Sequence, residues 1–183
     1  MDVDDAFIEK VAAAPAGQAE PAVSDFRILV TGSREWGDRR NLFETLDGVL
    51  AEVAWQAQQR GEKWSVTVVH GACPAGADLY AHMWYTSRLG IWGAERVRED
   101  PHPADWETCS WPDCTPAHRK LRPDGTDYCP GAGFWRNQQM VSQGADACLA
   151  FLWTGAGNKG TWDCAGRAQV AGMPVRHVRG GPS

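Results

Sequence analysis

Three glycine-rich turns carry the groups best suited to holding phosphate. Gly32-Ser33-Arg34 ends a short apolar run and sets backbone N–H groups beside an arginine fork. Read alone, it is equally a plain tight turn with a solvated Arg34. His70-Gly71-Ala72-Cys73-Pro74-Ala75-Gly76-Ala77-Asp78 joins glycines Gly71 and Gly76 to a carboxylate in a first helical turn. There Asp78 could accept from a ribose hydroxyl or cap backbone donors. Gly155-Ala156-Gly157-Asn158-Lys159-Gly160-Thr161 brings free amides and a hydroxyl to a helix N-terminus, a ready anion site, without the Gly-Lys-Ser/Thr ending of a Walker A loop. A fourth segment, Arg136-Asn137-x-x-Met140, places a guanidinium that could clamp a phosphate bidentately or pair with an acidic residue.

A separate group has metal-ligand character. Cys109, Cys114, His118 and Cys129 form Cys-x4-Cys-x3-His-x10-Cys, offering three thiolates and an imidazole for a closed tetrahedral zinc site, with His102 as a spare ligand. Four protein ligands leave no open position, so such a zinc is structural. The alternative is a loop held by Trp106, Trp111, Tyr128 and prolines, with free thiols. Cys73, Cys148 and Cys164 read as buried small residues, Cys148 within a strand.

Alternating strands and helices must position these residues. The strands are Phe26–Thr31, Val66–His70, a weaker one around Glu95–Arg98, Ala147–Trp153 and Val175–Val178. The helices are Asn41–Arg60, capped by Asp38 or Asn41 and ended by Gly61; Leu79–Leu89, ended by Gly90; one near Phe134–Gln143; and Thr161–Ala171. This predicts an α/β, Rossmann-like, doubly wound parallel sheet of about five strands with helices on both faces. Ligands of such sheets bind beyond the carboxyl ends of the strands, the edge where the glycine turns fall. Residues 101–133 are too polar and too long for an ordinary connection, and read as a zinc-stapled insert in a domain spanning 26–180. Residues 1–25, rich in Ala, Pro and acidic residues, read as a disordered arm without signal-peptide features.

The chain has 183 residues and a net charge of −5, with a pI near 5.5. No overall field attracts a polyanion, which makes nucleic acid an unfavoured partner. No apolar run reaches the roughly 20 residues of a membrane helix, and the expected location is the cytoplasm. Ten tryptophans are many for this length. Trp36, Trp106 and Trp135 flank the ligand motifs, where a ring could stack on a base, while Trp55 and Trp153 read as core fillers.

Together the motifs at Arg27–Arg34 with Trp36, His70-Gly71, Gly76-Ala77-Asp78, Ala104-Asp105-Trp106, Arg136-Asn137-x-x-Met140 and Gly160-Thr161 resemble the SLOG superfamily, in its YspA-like branch. The resemblance runs from Arg27 to about Val178. It implies similarity in fold to the lonely-guy phosphoribohydrolases, which cleave the N-glycosidic bond of cytokinin ribotides, and to the DNA-processing protein DprA. It also implies a site that binds a nucleotide-derived ligand, sensing or sequestering a signal. In the phosphoribohydrolases an Arg-x-x-x-Met motif supplies a catalytic arginine, matched here by Arg136. Their Gly-Thr-x-x-Glu motif is broken by Cys164, which leaves Asp163 as the nearest carboxylate, turned about 100° around the helix. Hydrolysis of a nucleoside monophosphate, with Arg136 on the phosphate and Asp163 or Asp78 assisting, is the enzymatic alternative. DprA-like single-strand binding through Arg34, Arg39, Arg40 and Arg136 is a second. Self-association is a further expectation from the family, though no heptad marks an interface.

Overall fold

The structure is a computed structural model that describes residues 23–182 except 110, 112 and 113. Strand β1 spans Val23–Gly32, helix α1 Arg39–Arg60, β2 Lys63–His70, α2 Gly76–Trp92 and β3 Val97–Pro101. After the insert come α3 at Ala132–Ser142, β6 at Ala147–Trp153, α4 at Lys159–Val170 and β7 at Val175–Gly180. The five long strands form one parallel sheet in the order β3-β2-β1-β6-β7. The chain therefore winds outward from β1 in one direction and returns to start again on its other side, putting the switch point between β1 and β6.

Successive strand residues face opposite sides, and the two sides make two cores. Ile28, Val30, Val66, Val68, Leu149 and Phe151 pack against α1 and α2. Leu29, Val69 and Cys148 pack against Met140 and Val141 of α3 and Cys164 and Ala168 of α4. The helical spacing read for α1 is its buried stripe, Leu42, Leu46, Leu50, Val53 and Ala57. Asp38 is its N-cap, accepting from the Asn41 amide, and Gly61 closes it in the left-handed conformation, φ 66°.

Several boundaries differ from the sequence reading. Gly90 lies inside α2, and Gly93, at φ 79°, ends that helix by donating to Leu89 O. The third strand is Val97–Pro101, because Val97 is the residue that reaches the core beside Val66. Val23–Asp25 extend β1 through pairing with β2, so they are not part of the expected arm, whose other residues lie outside those described. Within the insert, Lys120–Leu121 (β4) and Asp127–Tyr128 (β5) form a small antiparallel pair that the sequence reading did not contain.

Two tryptophans depart from the roles expected of them. Trp55, read as core, is 57% exposed, since it falls on the outer side of α1. Trp36, read as a base-stacking candidate, is buried edge-on against Phe151 and Trp153. Trp153 is half-buried against the same core, as expected.

Candidate functional site

The carboxyl ends of β1, β2 and β6 open onto a cavity of about 320 Å³ at the switch point. Gly32, Ser33 and Arg34 line it from the end of β1, Gly71 and Asp78 from the β2–α2 turn. Arg136 and Asn137 line it from α3, and Gly160 and Thr161 from the start of α4. Of the ligand-binding candidates only Gly76 stays off the wall. It sits beneath it at φ 66°, where a Cβ would strike Ser33 O and the Arg34 backbone. Gly32 is likewise pressed against Ala77 and Phe151. Gly157 and Gly160 have open space where a Cβ would project. The first two glycine turns are thus needed for close packing, the third leaves room.

Arg136 is the most constrained of the cations. Its Nη1 donates to the carbonyl of Gly71 and, at 3.4 Å, to that of His102, while Nε donates to Asn137 Oδ1 at 3.1 Å. The Asp78 carboxylate stands 3.8 Å from Nη1. Asp78 is buried and accepts from the Cys73 amide at 3.1 Å, a donor of the turn before α2 rather than of the helix itself. Burial pushes the Asp78 carboxyl above its ordinary range, and Arg136, the Cys73 amide, His70 and Arg34 only partly offset that. The turn is held from behind. His70 Nδ1 accepts from the Ala72 amide at 3.0 Å, so Nε2 carries the proton toward Glu99 Oε1 at 2.8 Å.

Arg34 is exposed at the rim, its guanidinium 5.8 Å from the centre of the Trp106 ring, which also lines the cavity. Glu35 and Phe134 line it too, and were not singled out in the sequence. Glu35 follows the Gly-Ser-Arg turn directly, which was the one available signal in the sequence; in the structure its amide donates to Ser33 Oγ at 3.0 Å.

The residues read as catalytic or nucleic-acid contacts fare differently. Asp163 is not on the cavity wall; it accepts from Asn137 Nδ2 at 2.9 Å and Arg167 Nε at 3.0 Å. Cys164 is fully buried, its thiol pushed up to about 11 chiefly by burial. Arg39 and Arg40 stand on α1 away from the cavity, and Arg40 pairs with Glu44 at 2.7 Å. Cys73, read as buried, is half-buried on the cavity wall.

The insert gathers its four candidate ligands. The donor atoms of Cys109, Cys114, His118 and Cys129 all lie within 4.8 Å of one another. Cys109 Sγ and Cys129 Sγ are 3.4 and 3.2 Å from His118 Nε2, and Cys114 Sγ is 3.5 Å from Cys129 Sγ. A tetrahedral zinc with bonds of about 2.0–2.3 Å needs donor-to-donor edges of roughly 3.5 Å, so the set fits that ion. Burial raises the Cys129 thiol, but hydrogen bonds from His118 and the neighbouring thiols outweigh it and bring it down to about 7, toward the thiolate that a metal requires. Arg119 lies 3.7 Å from Cys109 Sγ while clamped on Asp127, a cation beside the thiols. The spare candidate His102 is buried near Asp100, outside the cluster.

The cluster and the cavity share a wall. The Cys129 amide donates to Trp106 O at 2.9 Å, Cys129 O accepts from Ala132 at the start of α3, and Trp111 stacks on Trp135, ring centres 5.0 Å apart. The third flanking ring, Trp135, is therefore engaged by the insert.

The model of the YspA, cpYpsA-related SLOG family matches residues 26–108, from β1 to the base of the insert. The Gene 61 protein of Mycobacterium phage D29 is 35% identical over 153 residues, covering 81% of this chain and 93% of its own length. No solved structure matches. Among the described residues no helix is long and apolar enough to cross a membrane. The chain belongs to the YspA, cpYpsA-related SLOG family.

Proposed function

We propose that the protein binds a nucleotide-derived ligand in the switch-point cavity, sensing or sequestering it as a signal. The observation that carries this reading is convergence. Three glycine turns and Arg136, which lie far apart in sequence, share one cavity of about 320 Å³, a size within the range of small-ligand sites. Arg136, held by carbonyls in a fixed pose, and Arg34 at the rim are the phosphate partners. The first-turn amides of α4 and the Thr161 hydroxyl add donors where the helix dipole favours an anion. Trp106 offers a face for a base. Native mass spectrometry of freshly purified protein, followed by titration with AMP and ADP-ribose, tests it. A co-purified nucleotide, or binding weakened in R136A, is the expected result; an empty protein that neither compound stabilises sinks the reading.

The Cys109, Cys114, His118 and Cys129 set is proposed as a structural zinc site, supported by its donor chemistry and its edges. Zinc bound there would close all four positions and contribute folding free energy to a segment poor in aliphatic residues. Metal analysis should give one zinc per chain, and none in C129S.

A second reading, N-glycosidic hydrolysis of a nucleoside monophosphate, is favoured by one observation. Asp78 is a carboxyl on the cavity wall whose protonated form burial favours, as a general acid requires. Release of free base from AMP by the purified protein, lost in D78N, would support it.

A further inference from the structure

A second cavity, of about 680 Å³, adjoins the first across shared walls formed by Arg34, Gly71, Cys73, Trp106 and Arg136. Its remaining lining comes from two places: the Ala72–Ala75 turn before α2, and the insert, including Pro103, Ala104, Leu121, Arg122, Pro123 and Tyr128.

Three properties of this groove stand out. Among the described residues it carries three arginines and no Asp or Glu, whereas the first cavity has Asp78 and Glu35 to balance its cations. Its walls are otherwise small, apolar or aromatic. Trp106 and Tyr128 meet edge to face with centres 6.2 Å apart, and the Arg122 guanidinium lies 5.1 Å from the Tyr128 ring centre. Leu121 is 76% exposed beside it, an apolar side chain left in water at the tip of the β4–β5 ribbon. The nearby Asp105 is turned to its own chain, capping the amides of Glu107 and Thr108 at 3.1 and 3.2 Å. Arg122 has Thr126 Oγ1 at 3.2 Å and Glu107 Oε1 at 3.7 Å, so its charge is only partly spent.

We infer that the two cavities are the halves of one site for a two-part ligand, two nucleoside-sized or ribose-sized groups joined by a pyrophosphate, with the linker on Arg34 and Arg136. The inference rests on the nucleotide reading above and adds the ligand's second half. Two guanidiniums at the common wall match the two charges of a pyrophosphate. The groove beyond them presents aromatic faces for a ring and donors for hydroxyls, and its own described lining adds no carboxylate to the Asp78 already beside Arg136. Because the insert builds this half, it sets the preference for a two-part ligand over a mononucleotide.

Isothermal titration of the intact, metal-replete protein with AMP, ADP, ADP-ribose and NAD tests this. ADP-ribose or NAD should bind about tenfold or more tighter than both AMP and ADP. L121E and R122E, at positions outside the first cavity and the metal set, should remove that gain while AMP affinity stays within about twofold. Equal affinity for ADP and the two-part compounds would overturn the inference, as would losses in the variants shared equally by AMP. Failure of every compound to bind would overturn the nucleotide reading as well, whereas AMP binding without a gain from the second half would overturn this inference alone.

Discussion

Gly71 and Arg136 are a matched pair. The Arg136 guanidinium lies so close over the Gly71 backbone that a Cβ at position 71 would collide with Nη1 and Cζ. Glycine is needed there for approach, not for an unusual φ.

Gly71→Ala should therefore act as a binding variant rather than a folding variant. The displaced guanidinium loses a charge-assisted contact worth about 1.5–3 kcal/mol. Titration should show G71A and R136A weakening AMP by similar factors, roughly ten- to a hundredfold, with G71A adding little to R136A in the double variant.

Gly76 and Gly160 should behave oppositely. Gly76→Ala meets both a positive φ and the Ser33 and Arg34 backbone, so thermal unfolding should reveal a loss of at least about 1–2 kcal/mol. Gly160→Ala has open space in the first turn of α4 and should leave stability equal or raised by up to about 1 kcal/mol. Its methyl projects where the ligand is proposed to sit, so AMP affinity should fall although the fold does not.

Two carboxylates should pull stability in opposite directions with pH. Burial raises Asp78, so the folded state holds its proton to higher pH than the unfolded chain does. Stability from this group is present at low pH and declines as pH rises from the unfolded carboxylate value through the folded one. D78N should flatten that decline and, by removing a negative charge 3.8 Å from Arg136, strengthen binding of anionic ligands. Burial also acts to raise Asp47, but hydrogen bonds from Arg88 and Trp84 Nε1 outweigh it and hold the carboxyl low. Its contribution is present above the unfolded value and lost as pH falls through the folded one, so D47N should reduce stability at neutral pH and lessen its loss in acid. Denaturation curves across the acid range separate the two.

Chelation should disturb the site through the shared wall. Losing a metal at Cys129 frees the segment that accepts Ala132 at the start of α3 and fixes Trp106. Near-ultraviolet circular dichroism should report loss of the Trp111–Trp135 stack, with weaker ligand binding and an intact far-ultraviolet spectrum. A metal-free protein with unchanged affinity would leave the insert as an independent appendage.

The elements were legible because periodicity is local. Apolar runs at Phe26–Thr31 and Ala147–Trp153 and the repeat Leu42, Leu46, Leu50 report which chain faces are buried, whatever they pack against. Glycine as punctuation was ambiguous, because open space lets Gly90 sit inside a helix while Gly93 ends it. The tryptophans were ambiguous too: Trp36 and Trp55 differ in burial only through which neighbours the fold brings to them.

From its own order of residues the chain determined the strand–turn–helix alternation, the turns that could face phosphate and the spacing of a Cys3His set, since each depends on neighbours a few positions apart. Tertiary structure alone decided that Asp78 is buried against Arg136, that Asp163 is engaged by Asn137, and that a second groove, without a carboxylate among its described lining residues, opens beside the first. Those relationships join segments tens of residues apart, and only the winding of the sheet around β1 brings them together.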